Sequence, residues 1–230
     1  MIQILKSHVK YCAKYWMITP HVSINFKFNE ESKQWFDIHC PAIIKNFDET
    51  FPDTGGPIFN NPNHTDSIVF QSSSPAIQVK KFLNELELTQ IHVQMFVYKI
   101  QSKLFSIENP HIDTPGMKPL PGRFNVLVYG NENSKMHWWN RDINHPAIQP
   151  INIPNFGKRW QVIGNSKKEQ LGLLGNPDHS AHTLSKVDQT GDFVRTEIVH
   201  SIERNGERRL IVSTQIHHPW EEILEKTKNV

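Results

Sequence analysis

The sequence predicts a mainly β domain with flanking helices, of the α+β class. Three observations carry that expectation. Between residues 91 and 216, short runs of alternating apolar and polar residues recur, as half-buried strands require. The 15 prolines, with many Asn, Ser and Asp residues, supply the turns between them. Amphipathic helical stretches stand before and after this region. One domain is the economical reading of 230 residues, with bracing helices and strands in 1–90, the β core in 91–216 and a closing helix in 217–230.

Taken in order, Ile2, Leu5, Val9, Cys12 and Trp16 fall at helical spacing and predict an opening helix that buttresses a sheet. Val22 to Phe28 alternates as a strand, and Gln34 to Ile38 is expected to pair with it. Pro41 is placed to start a short helix running to Phe51. Pro52 to Ser74 reads as a long loop. Ser74-Pro75 then opens a helix with Val79, Phe82, Leu83 and Leu86 on one face. Ile91 to Ile100 reads as a strand buried on both faces, with Gln94 and Tyr98 on one side of it. Arg123 to Gly130 has an apolar side (Phe124, Val126, Val128) and a mixed side (Arg123, Asn125, Leu127, Tyr129). Ser134 to Trp139 places Trp138 and Trp139 on opposite faces, one for the core and the other for a pocket or the surface. Asn144 to Phe156 and Lys167 to Pro177 read as loops, around strands at Arg159–Asn165 and Ala181–Val187. His179 and His182 are taken as loop polar residues. A turn at Gly191-Asp192 leads into a strand from Phe193 to His200, and Asn205-Gly206 makes a hairpin turn into Arg208 to Ile216. Pro219 to Lys228 closes as a helix.

Composition excludes several function classes. A formal charge of +2 with interspersed signs gives no basic stripe for nucleic acid or an anionic membrane. Cys12 and Cys40 form no disulfide framework and no zinc cluster, so reduced thiols and a cytoplasmic setting are expected. Lysines at 6, 10 and 14 break every apolar run near the N-terminus, so neither a signal peptide nor a membrane span is expected there.

One short motif suggests chemistry. In Asn109-Pro-His-Ile-Asp113, His111 and Asp113 are two apart, so on an extended strand both leave from one face. They offer an imidazole nitrogen and a carboxylate oxygen to one point. A second copy, His64-Thr65-Asp66, follows the turn-rich Asn60-Asn61-Pro62-Asn63, where Asp66 caps or bends the backbone. The later copy instead has a full series of strands between it and His200, and Arg209 follows on the next strand-like run. With that context, residues 91–216 resemble the iron(II)- and 2-oxoglutarate-dependent oxygenase superfamily.

The resemblance implies a double-stranded β-helix, or jelly roll, in which His111, Asp113 and His200 bind Fe(2+) as a facial triad with the opposite positions open. It implies 2-oxoglutarate and O2 as cosubstrates, with Arg209 holding the distal carboxylate through its planar fork. Arg208 takes that role if the strand register slips by one. Ile211 stands where some relatives have a serine beside that carboxylate, so Tyr98 is the hydroxyl partner if it is not simply a core hydroxyl. Asn125 is a further cosubstrate contact. The implied reaction is hydroxylation of a small molecule or an amino-acid or peptide substrate, with release of succinate and carbon dioxide. A cupin-like, non-redox jelly roll serving an isomerase, hydrolase or binding module is the alternative, and it would not need Arg209. Arg204 and Arg209 superficially suggest a nucleic-acid demethylase, but their spacing is off by one and a basic lid is absent from the sequence. No oligomeric state follows from these patterns.

Overall fold

The computed structural model describes residues 19–50, 56–57, 70–98, 110–114, 118–130, 134–153, 157–182, 191–204 and 209–230. The expected helix over Ile2–Trp16 and the His64-Thr65-Asp66 motif lie outside them.

In chain order the elements are β1 (His21–Ile24), α1 (Glu30–Thr50), β2 (Gly56–Pro57), α2 (Ser74–Glu85), β3 (Gln90–Tyr98), β4 (His111–Ile112), β5 (Gly122–Tyr129) and β6 (Ser134–Trp139). There follow β7 (Ile148–Ile153), β8 (Gly157–Val162), α3 (Lys167–Leu174), β9 (His179–His182), β10 (Gly191–Arg195), β11 (Val199–Arg204), β12 (Arg209–Ile216) and α4 (Trp220–Lys226). Among the described residues they build two six-stranded sheets, ordered β1-β10-β5-β12-β3-β2 and β7-β8-β4-β11-β6-β9. The pairings are antiparallel throughout. From β3 to β6, and again from β10 to β12, the chain changes sheet at every connection. That alternation makes a jelly roll, the fold class expected.

The alternation of residue types decides which faces are covered. On the first sheet Phe124, Val126, Phe193, Leu210 and Val212 turn outward and join Phe36, Ala76, Val79, Leu83 and Trp220 of the helices in one buried cluster. On the second sheet Ile112, Trp139, Val162 and Val199 pack outward against Leu174 of α3. Met136, Trp138, Val194 and Ile198 fill part of the space between the sheets. Trp138 crosses that space, its indole N–H donating to the Arg195 carbonyl at 2.9 Å. Both tryptophans are therefore core residues, at 1% and 2% exposure, and neither lines an open surface.

Several expected elements differ. Residues 34–38 are helical rather than extended, because Asn29 caps α1 by accepting from the Ser32 N–H at 2.9 Å, and Phe36 and Cys40 form a buried face of that helix. Pro41 lies inside α1 and does not start it. Residues 148–153 form β7, where Pro150 is tolerated on an edge strand. Residues 167–174 form α3, capped by Ser166, whose hydroxyl accepts from the Glu169 N–H. His179 to His182 is strand β9, not loop. The expected strand Phe193–His200 is two strands in different sheets, broken at Thr196–Ile198, and Gly191-Asp192 belongs to the first of them. Strands β11 and β12 also lie in different sheets, and the expected turn at Asn205-Gly206 falls outside the described residues.

Candidate metal centre

His111, Asp113 and His200 come together. His111 opens β4 and His200 is the second residue of β11, and the two are direct partners in the antiparallel register. Ile112 turns outward into the α3 cluster, so period-two alternation turns His111 and Asp113 inward. On the inner face His111 sits in a rung running Gln161, His111, His200, Trp138 and His179 across the sheet.

One ligand atom from each triad member lies within 4.8 Å of the other two, and all three side chains are buried. His111 Nε2 is 3.5 Å from Asp113 Oδ1, and the two imidazole centroids are 4.6 Å apart. His200 Nδ1 donates to the Ile198 carbonyl at 3.0 Å, which directs the lone pair to Nε2. Asp113 is fixed by its backbone as well. Its N–H donates to the Thr196 carbonyl at 3.1 Å, and its carbonyl accepts from the Leu120 N–H at 2.7 Å. The loop after the motif is thus tied back onto the β10–β11 connection. Thr196 adds a hydroxyl bond to the Leu120 carbonyl at 2.9 Å.

The electrostatics favour a carboxylate. Burial would push the Asp113 pKa up, but the Arg123 guanidinium and the two imidazoles outweigh it and hold the acid well below the usual range. Arg123 Nε donates to Asp113 Oδ2 at 2.5 Å. Sequence reasoning put Arg123 on the mixed face of its strand but did not pair it with Asp113.

A polar rung on the first sheet adjoins the triad: Asp192, Asn125, Ser213 and Gln94 are successive cross-strand partners. Their faces alternate with the outward Phe193, Phe124 and Val212, so they turn to the interior. Arg123 Nη1 links this rung to the triad by donating to Ser213 Oγ at 3.4 Å. Asn125 Oδ1 is buried without a hydrogen-bond partner among the described residues, as is Thr114 Oγ1 beside the motif. Arg209 is the backbone partner of Tyr98 and shares strand parity with Ile211 and Ser213.

No protein-family model matches the chain, and no curated protein sequence does. Solved structures show similarity over most of the chain. One is a viral collagen prolyl hydroxylase, vCPH, of Paramecium Bursaria Chlorella virus-1 in a 2OG complex. It is 12% identical, with 86% of this chain and 96% of that one covered and a TM-score of 0.41. Another is the non-heme alpha-ketoglutarate-dependent carbocyclase SnoK of nogalamycin biosynthesis, at 10% identity, 90% and 83% coverage and TM-score 0.46. The epimerase SnoN, solved with Fe3+, alpha-ketoglutarate and nogalamycin RO, gives 11% identity, 92% and 84% coverage and TM-score 0.46. Among the described residues, no helix is long and apolar enough to cross a membrane.

Proposed function

We propose that the protein is an iron(II)- and 2-oxoglutarate-dependent oxygenase that hydroxylates an unactivated C–H bond of a small molecule or of an amino-acid or peptide substrate. The observation that carries this is the convergence of two imidazoles and one anionic carboxylate at a single buried point between the sheets of a jelly roll. That donor set suits Fe(II) and leaves one side of the ion to other ligands. When bound, iron and 2-oxoglutarate supply the oxidative decarboxylation, to succinate and carbon dioxide, that drives oxidation of the substrate by O2.

The chain's own residues bind and orient. His111 and His200 present imidazole nitrogens, and Asp113 supplies the negative charge that offsets the cation. Arg209 takes the distal carboxylate of 2-oxoglutarate, and Tyr98, its backbone partner, lends a hydroxyl. Asn125 offers a buried amide with an unmet hydrogen-bonding atom, which suits a polar cosubstrate lying across the rung. The cytoplasm is the compartment that fits reduced thiols.

An anaerobic titration with Fe(II) and then 2-oxoglutarate tests the proposal. The weak visible charge-transfer band of that pair is expected in the wild type and absent from His111→Ala, Asp113→Ala and His200→Ala. Binding of metal without any 2-oxoglutarate binding would favour a cupin-like, non-redox protein instead.

A further inference from the structure

The geometry points to Arg123 as the positioning residue that makes Asp113 a one-oxygen ligand. This rests on the reading of the triad as a metal site. Asp113 follows β4 of one sheet and Arg123 lies on β5 of the other, so the contact spans the interior of the jelly roll. Arg123 Nε engages Oδ2 at 2.5 Å, while Oδ1 is the oxygen beside His111 Nε2, at 3.5 Å. The two oxygens therefore have different tasks: Oδ1 faces the point where the imidazoles converge, and Oδ2 is occupied. A carboxylate with both oxygens available can chelate, and chelation would take a further position on the ion. An occupied Oδ2 prevents that and keeps the opposite side of the ion for other ligands.

Arginine suits this task better than lysine. Its planar fork reaches the acid through Nε and, through Nη1, the Ser213 hydroxyl at 3.4 Å, which fixes the plane of the guanidinium. The side chain is 17% exposed, so the contact is only partly shielded from water.

The test is Co(II) and anaerobic Fe(II) affinity by calorimetry for the wild type, Arg123→Lys, Arg123→Gln and Arg123→Ala, with the Co(II) visible spectrum as a gauge of coordination number. Loss of the guanidinium should weaken metal binding about 10- to 100-fold, with Lys recovering part of it. It should also change the Co(II) band intensity as Asp113 becomes free to chelate. A purely structural Arg123 would lower the metal-free Tm and leave affinity and spectrum unchanged in every variant that folds, which overturns the inference. Gln keeps most of the side-chain volume and answers the question if Ala does not fold. A wild type that binds neither metal defeats the triad reading itself, and this inference with it.

Discussion

His111 and His200, 89 residues apart in sequence, are direct cross-strand partners with ring centroids 4.6 Å apart. Strand register alone sets that separation. A slip by one residue would turn one imidazole out into the cluster under α3 and dissolve the site.

The triad variants should differ in stability as well as in metal binding. His111→Ala and His200→Ala are each expected to abolish Fe(II) binding while the metal-free protein keeps its far-UV circular dichroism. Asp113→Ala should be the costliest of the three, because it leaves the partly buried Arg123 guanidinium without its acid. Urea denaturation of the metal-free proteins should place it about 1–3 kcal/mol below wild type, with Asp113→Asn between.

Arg209→Ala should weaken 2-oxoglutarate about 10-fold or more, the scale of one charge-assisted hydrogen bond. Arg208→Ala should change it little, since Arg209 shares strand parity with the inward-facing Ser213. Calorimetry of the metal-loaded variants reads both. Equal losses would assign the carboxylate to neither residue in particular.

Gly191→Ala should be strongly destabilising although the site would be untouched. A Cβ there would fall well inside contact distance of the Phe124 ring, beneath Phe26. Overpacking of this kind costs about 1–3 kcal/mol, seen as a lower urea midpoint at unchanged slope. Gly191 is needed for close approach of an aromatic side chain and not for a turn.

Cys40 gives a pH dependence at the alkaline end. Burial first, and the Asp37 charge second, push its thiol from 9.0 up to about 12. A raised acid pKa means the unfolded chain loses the proton first, so stability is full below about pH 9 and falls as pH climbs toward 12. The loss can reach about 1.4 kcal/mol per pH unit. Cys40→Ala should therefore show a flatter stability curve than wild type over that window. In a Cys12→Ser background, Cys40 should react with a thiol reagent only as the protein unfolds.

The sequence made the convergence of His111, Asp113 and His200 legible and missed some of the fold, for physical reasons. Strands β5 and β12 could be read because each has one apolar face and one mixed face, and His111 and Asp113 because period two fixes their common side. No proline or glycine between Phe193 and His200 marks where the chain leaves one sheet for the other, so β10 and β11 read as one. Pro150 disguised β7 and Pro41 disguised the middle of α1. The capping pair Ser166 and Glu169 was a usable signal for α3, outweighed by the sparse apolar residues after it. Arg123 was placed on the right face, but its partner lies on the opposite sheet, and no local pattern reports a contact of that kind.

Pro150 has one more effect. Val162 turns its N–H to Pro110 on the β4 side, so Trp160, two residues away, does likewise, and Pro150 opposite it faces away from β8. The outer rim of the second sheet thereby lacks a donor halfway along its border strand. A neighbouring polypeptide seeking to extend that sheet would meet a gap in the ladder, so this rim is poorly suited to edge-on joining of molecules.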